Sequence, residues 1–280
     1  MVQLLAASLL WALSFGLVPR VAPLGAAPVA AIRSLLALAV FLPFLRTRGL
    51  GARAALALAG LGALQFGLMY VFYTAGFRWL QGSEAALFTV FTPILVALAE
   101  DVLGRTFSWR VLAVAALATA GTALCLGAKA RDHGVLLGFL LIQASNACFA
   151  LGQVGYRRLA RRLDRPDHEV MGLLYGGAAL VTLALALPAL PAMPRPTGSQ
   201  MAILAYLGLA ASGLGFFLFN AGARRVEVGT LAVFNNAKVP LAILASALVF
   251  GEKVDVFRLA AGGSVIALAL AVNGSIRRRP

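Results

Sequence analysis

The sequence predicts an all-α integral membrane protein, with ten transmembrane helices arranged as two inverted five-helix repeats. Three observations predict this: ten long apolar stretches, too little charge for a water-facing shell, and self-similarity between the halves of the chain. Of 280 residues, 61% are hydrophobic and 12% charged, whereas about a quarter of a soluble domain is charged. A soluble fold of this length would lack the polar sequence to coat its core, so the bilayer takes the place of water. The formal charge of +14 does not read as nucleic-acid binding. The arginines are scattered through short gaps between apolar runs and are not gathered in one patch with exposed aromatics.

A helix needs roughly 20 mainly apolar residues to cross about 30 Å of hydrocarbon. Spans one to five are placed at Val2 to Val18, Pro28 to Leu45, Ala54 to Phe77, Ala85 to Leu103 and Val111 to Ala128. Spans six to ten follow at Gly134 to Leu159, Val170 to Leu190, Met201 to Ala223, Val228 to Phe250 and Val256 to Ile276. No basic residue precedes the first run and Arg20 follows it, which reads as a retained span rather than a cleaved leader. The runs are continuous, whereas barrel strands would be shorter and alternate apolar with polar. The connections are brief, and Pro191, Pro194 and Pro196 turn one of the two longest. Arg46, Arg48, Arg157, Arg158, Arg161, Arg162, Arg165 and Arg277 to Arg279 fall on one side, which holds about twice the Lys and Arg of the other. The positive-inside bias therefore predicts a multi-pass protein of the plasma, that is bacterial inner, membrane with both termini cytoplasmic.

Self-similarity is sought before a fold is assigned. Pro93 and Gly104 match Pro240 and Gly251 at a constant offset of 147 residues, and Gly127 and Gly274 keep it. Ala75-Gly76-Phe77-Arg78 resembles Ala221-Gly222-Ala223-Arg224 one residue out of phase, and Trp11-Ala12-Leu13 echoes Phe149-Ala150-Leu151. The colinear order makes residues 1–130 one repeat and 131–280 the other. Five crossings per unit is an odd number, so the second unit enters from the opposite face. By analogy with other inverted repeats, this design places a substrate site near the midplane and works by alternating access.

WALSFGLVPR in span one, AIRSLLALAVFLP in span two and the Pro-to-Gly segments ending at Gly104 and at Gly251-Glu252 resemble the EamA-type members of the drug/metabolite transporter superfamily. The first repeat departs from the family's Gly-Glu ending with Gly104-Arg105. The resemblance implies ten helices, cytoplasmic termini, a central cavity and the export of amino acids, other metabolites or drugs. It does not name a substrate.

Lys238 lies about ten residues into span nine, where a Lys costs roughly 2.5–3.5 kcal/mol on insertion scales. One reading gives it the carboxylate of an anionic or zwitterionic metabolite, oriented by the amides of Asn235 and Asn236. The other holds it with water and backbone carbonyls inside the bundle, or leaves it neutral through desolvation. Pro93 and Pro240 are read as helix breaks, because neither can donate an N–H. Arg33, some five residues into span two, either snorkels to headgroups or attracts an anion. Trp11, Phe15, Gln65, Tyr70, Tyr73, Gln143, Asn146, Gln153 and Asn220 are candidate cavity residues, since polar side chains in spans turn toward protein or water. Glu84 and Glu227 stand at span starts, either solvated or coupling a proton. Gly172 and Gly176 permit close helix approach, within the monomer or across a homodimer.

The implied partners are a small-molecule substrate and the lipid bilayer, with no nucleic acid, cofactor or metal. Cys125 and Cys148 lie in apolar runs with no disulfide or zinc spacing. His133 and His168 lie in loops without ligand spacing, so an enzyme, for example a lipid-acting transferase, is disfavoured. No Walker A sequence is present, which makes a gradient the energy source. A passive channel or scramblase built on the same helices stays open.

Overall fold

The computed structural model describes residues 2–105, 132–163 and 165–226, together with 109, 238–239, 241–245, 247–251, 257, 264 and 268. Among these residues the regular elements are helices. Seven of them are long and apolar enough to cross a membrane: Val2–Leu24, Ala26–Phe44, Ala52–Gly76, Gly82–Gly104, His133–Leu163, Asp167–Ala192 and Gly198–Ala223. They are spans one to four and six to eight. Span five, the first part of span nine and nearly all of span ten lie outside the described residues, as do Cys125, Gly127, Glu227, Glu252 and Gly274.

Span one shows how the bilayer replaces an aqueous shell. Leu5, Leu9 and Leu13 form an exposed stripe, while Leu4, Trp11, Phe15 and Val18 on the other faces are buried. An outward leucine stripe suits hydrocarbon, and seven apolar helices long enough to cross it make this a multi-pass membrane protein. The turn into span two is tight, because Pro23 lies in a short 3-10 turn and Gly25 adopts φ 101°, a conformation that favours glycine.

Spans at corresponding places in the two halves share irregularities. Spans two and seven each end in a 3-10 turn opened by a Leu-Pro pair, Leu42-Pro43 and Leu187-Pro188. Spans three and eight each contain a π-helical segment, Ala63–Leu68 and Tyr206–Leu214. The packing matches as well: span two lies on span seven, span three packs on six and seven, and span eight on one and two.

The closest approach in the bundle differs from the sequence expectation. Gly176 meets open space, and Gly172 faces the side chain of Leu45 in the same chain. The residues that bring spans three and seven into backbone contact are Gly62 and Gly177. A Cβ at either would stand 1.9 Å from the carbonyl oxygen of Leu174 or Ala59, respectively.

One end of the bundle gathers arginines from both halves. Glu169 pairs with Arg46 at 3.5 Å and Arg165 at 3.7 Å, Asp167 with Arg224 at 3.0 Å, and Glu100 with Arg158 at 2.8 Å. The Tyr156 hydroxyl also donates to Asp167, and Arg165 donates to the carbonyls of Arg46 and Arg48. Arg46, Arg158, Arg165 and Arg224 each have a carboxylate.

Candidate functional site

A cavity opens between the spans, lined by Trp11, Ser14 and Phe15 from span one, Arg33 from span two, and Met69, Tyr70 and Tyr73 from span three. Thr89 and Thr92 of span four, Ser145, Asn146 and Phe149 of span six, Phe216 of span eight and Lys238 of span nine complete it. Its wall is largely aromatic. Trp11 packs on Phe216 and Phe219 with centroids 4.6 and 4.9 Å apart, and Phe15 meets Tyr73 edge-on at 5.9 Å.

The polar lining divides into two sets, and the first repairs the helices. Span four breaks into a 3-10 turn at Thr89–Phe91 just before Pro93. Pro93 has no N–H to give the Thr89 carbonyl, and that oxygen receives the Thr92 backbone N–H and, at 2.6 Å, the Thr92 hydroxyl instead. The Phe88 carbonyl receives the side-chain amides of Gln143 and Asn146, both at 3.1 Å. Ser145 donates to the Met69 carbonyl at 3.0 Å. In span eight, where π-helical turns loosen the backbone pattern, Trp11 Nε1 donates to the Ala211 carbonyl at 2.9 Å and the Tyr175 hydroxyl to that of Ser212 at 2.7 Å. Asn146 thus lines the cavity with its amide group already committed to structure.

The second set is not committed. Lys238 is buried, with its Nζ 5.1 Å from the centre of the Trp11 ring and 5.7 Å from that of Phe149. No acidic residue appears among the described residues lining the cavity. Ring faces attract a cation by about 0.5–2 kcal/mol, well short of replacing its hydration or a counter-ion. Arg33 is 3% exposed, which corrects the snorkelling reading: span two turns it inward, away from the headgroups. Its Nε donates to Ser212 Oγ at 3.2 Å and its guanidinium lies 3.8 Å over the Tyr70 ring. Arg33 Nη1 and the Tyr70 hydroxyl are buried without hydrogen-bond partners.

The structure thus brings Lys238, Arg33, Trp11, Phe15, Tyr70, Tyr73 and Asn146 to one cavity. It leaves four candidates outside the lining, Gln65, Gln143, Gln153 and Asn220. Gln65 is fully buried in the π-helical part of span three, packed where Gly152 makes room, and Asn220 turns its amide to Met171 Sδ. Asn235, Asn236 and Pro240 lie outside the described residues. Gln153 is buried with both amide atoms unpartnered, and Glu84 accepts from the Gln81 backbone N–H at the start of its helix. Among the described residues no group of three His, Cys, Asp or Glu is placed to hold a metal.

Phe149, Phe216 and Ser212 were not singled out from sequence. For the two phenylalanines the signal was in the repeat: Phe149 is the counterpart of Trp11, and Phe216 stands 146 residues after Tyr70. Ser212 carried no signal of its own.

Residues 1–127 and 136–274 match the EamA-like transporter family, and the chain belongs to it. A probable biotin transporter of Pseudomonas aeruginosa is 41% identical over 284 residues, covering 98% of each chain. The biotin transporter of Salmonella typhimurium is 36% identical over 98% of this chain and 92% of its own. The aromatic amino acid exporter YddG of Ancylobacter novellus is 30% identical over 77% of this chain and 72% of its own. A solved crystal structure aligns over 99% of this chain and 97% of its own, with a TM-score of 0.62 at 25% identity. The chain is a membrane transporter of small metabolites, not an enzyme.

Proposed function

We propose that the protein carries a metabolite with a carboxylate group, biotin being the first candidate, and that Lys238 binds the carboxylate. The observation that carries this reading is Lys238 itself, a buried ammonium held by two ring faces in a cavity with no acidic residue among its described lining. In a low-dielectric site such a cation needs an anion, and a cargo carboxylate supplies one. The names of the biotin transporters, which match nearly the full chain, point to the same chemistry. The aromatic lining also suits an aromatic amino acid. An α-ammonium would want an acidic partner, however, which favours a plain carboxylate over a zwitterion.

Movement follows alternating access between two inverted repeats, 1–130 and 131–280, exchanging conformations around the cavity. The matched π-helical segments and Leu-Pro ends support that pairing. The arginine-rich end faces the cytoplasm of a bacterial inner membrane, with both termini on that side, and a gradient drives transport. Export is the direction the family resemblance suggests, and uptake and efflux measured in the same vesicles decide it.

The test is saturable counterflow of labelled biotin in proteoliposomes. A carrier gives accelerated exchange that saturates, and Lys238→Ala removes it at normal membrane abundance. Linear flux without saturation would indicate a pore, and parental transport by Lys238→Ala would rule out the carboxylate role.

A further inference from the structure

The cavity has a second pole, at Arg33 and Tyr70. The neighbours of this pair are already committed. Ser212 Oγ accepts from Arg33 Nε while its own proton goes to the Leu207 carbonyl at 2.6 Å, and the Ser212 carbonyl takes the Tyr175 hydroxyl. Arg33 Nη1 and the Tyr70 hydroxyl are left without a hydrogen bond of good geometry, although the hydroxyl lies beside both Arg33 and Ser212. They are adjacent, because the guanidinium rests on the ring that bears the hydroxyl.

A buried donor without an acceptor is costly, and two side by side on a cavity wall imply an acceptor that arrives with the cargo. A carbonyl oxygen offers two lone pairs and can accept from both donors at once. A carboxylate is better suited to Lys238, whose neighbours are ring faces alone, whereas Arg33 already has Ser212 and the Tyr70 ring. Between the poles runs an apolar wall: Lys238 lies over Trp11, Trp11 packs on Phe216, Phe216 meets Tyr70 edge-on at 6.0 Å, and Tyr70 underlies Arg33.

We propose that Arg33 and Tyr70 form a pocket for a neutral urea- or amide-type carbonyl oxygen of the cargo, at the far end of an apolar body from the carboxylate held by Lys238. This rests on the carboxylate reading above. Biotin has this layout, with a ring urea at one end and a carboxylate on an alkyl chain at the other.

The test is titration calorimetry on the full-length protein in nanodiscs at neutral pH, with biotin and with iminobiotin, whose cyclic guanidine is protonated there and presents N–H donors in place of the urea oxygen. The parent protein is expected to bind biotin at least about tenfold tighter than iminobiotin, since a site built around a hydrogen bond rejects the analogue that lacks it. Tyr70→Phe is expected to weaken biotin about tenfold and leave iminobiotin within about twofold, closing the gap. Where Tyr70→Phe does not fold, Arg33→Lys, which keeps the charge and loses the Nη1 donor, is expected to close it in the same way. If either folded variant keeps the full preference for biotin, or weakens both ligands equally, while Lys238→Gln still loses biotin, the carbonyl pocket is overturned and the carboxylate reading stands. If the parent binds neither ligand, biotin is not the cargo and the pocket falls with it; if Lys238→Gln keeps its affinity for biotin, the carboxylate reading fails and the pocket falls with it.

Discussion

Cations occupy two regions of this molecule in opposite ways. At the arginine-rich end, Arg46, Arg158, Arg165 and Arg224 each meet a carboxylate, and these contacts tie the loop after span two to span seven, the end of span four to span six, and the end of span eight to span seven. In the cavity, Lys238 and Arg33 have ring faces and one serine but no acid among the described lining. The first arrangement stabilises a fold, while the second holds charge ready for something that is not part of the chain. Burial alone does not separate them. What differs is whether the partner is supplied by the chain.

That contrast breaks most completely where both regions lose their scaffold. Gly177→Leu forces span seven off span three, because even a Cβ there would overlap the Ala59 carbonyl. It is expected to yield no monodisperse protein by size-exclusion chromatography. Next in size is Lys238→Gln, expected to weaken biotin by roughly 30-fold or more, within the 2–5 kcal/mol typical of truncating one member of a buried charged contact. Its thermal midpoint without ligand should be equal to or above that of the parent, since an unpaired buried charge has been removed. A lower midpoint with unchanged affinity would make Lys238 structural.

Asp167→Asn should show the reverse pattern. It weakens the contacts of Tyr156 and Arg224 and is expected to cost about 1–2 kcal/mol, read as a midpoint lowered by a few degrees with the biotin affinity kept within twofold. The smallest effect is assigned to Arg46→Ala. The Arg46 side chain is 75% exposed, so its ion pair should contribute no more than about 0.5 kcal/mol, and a clear loss of stability would show that the end acts as one network.

Much of the fold was legible because lipid imposes a simple rule on sequence: the seven described spans lie close to where the apolar runs placed them. Lys238 was legible for the same reason, a charge in the middle of a run standing out by its cost. Arg33 was misread in part. Distance along a span gives depth but not the direction a side chain faces, and the packing of span two on span eight that shapes its pocket is a long-range contact. The Gly172–Gly176 spacing was a plausible packing motif, yet Gly62 and Gly177 on different spans do the packing, and no spacing within one helix reveals such a pair.

The sequence by itself determined that this chain lives in a bilayer as helices and belongs with EamA-like transporters, because hydrophobic length, charge placement and motifs are one-dimensional properties. Only the tertiary structure decided which polar groups are committed. Asn146 and Trp11 look like binding residues along the chain, but they donate to the backbone carbonyls of Phe88 and Ala211. Arg33, Tyr70 and Lys238 are left with unmet capacity. Whether a donor is satisfied depends on atoms brought together from distant parts of the chain, and folding is what sets those distances.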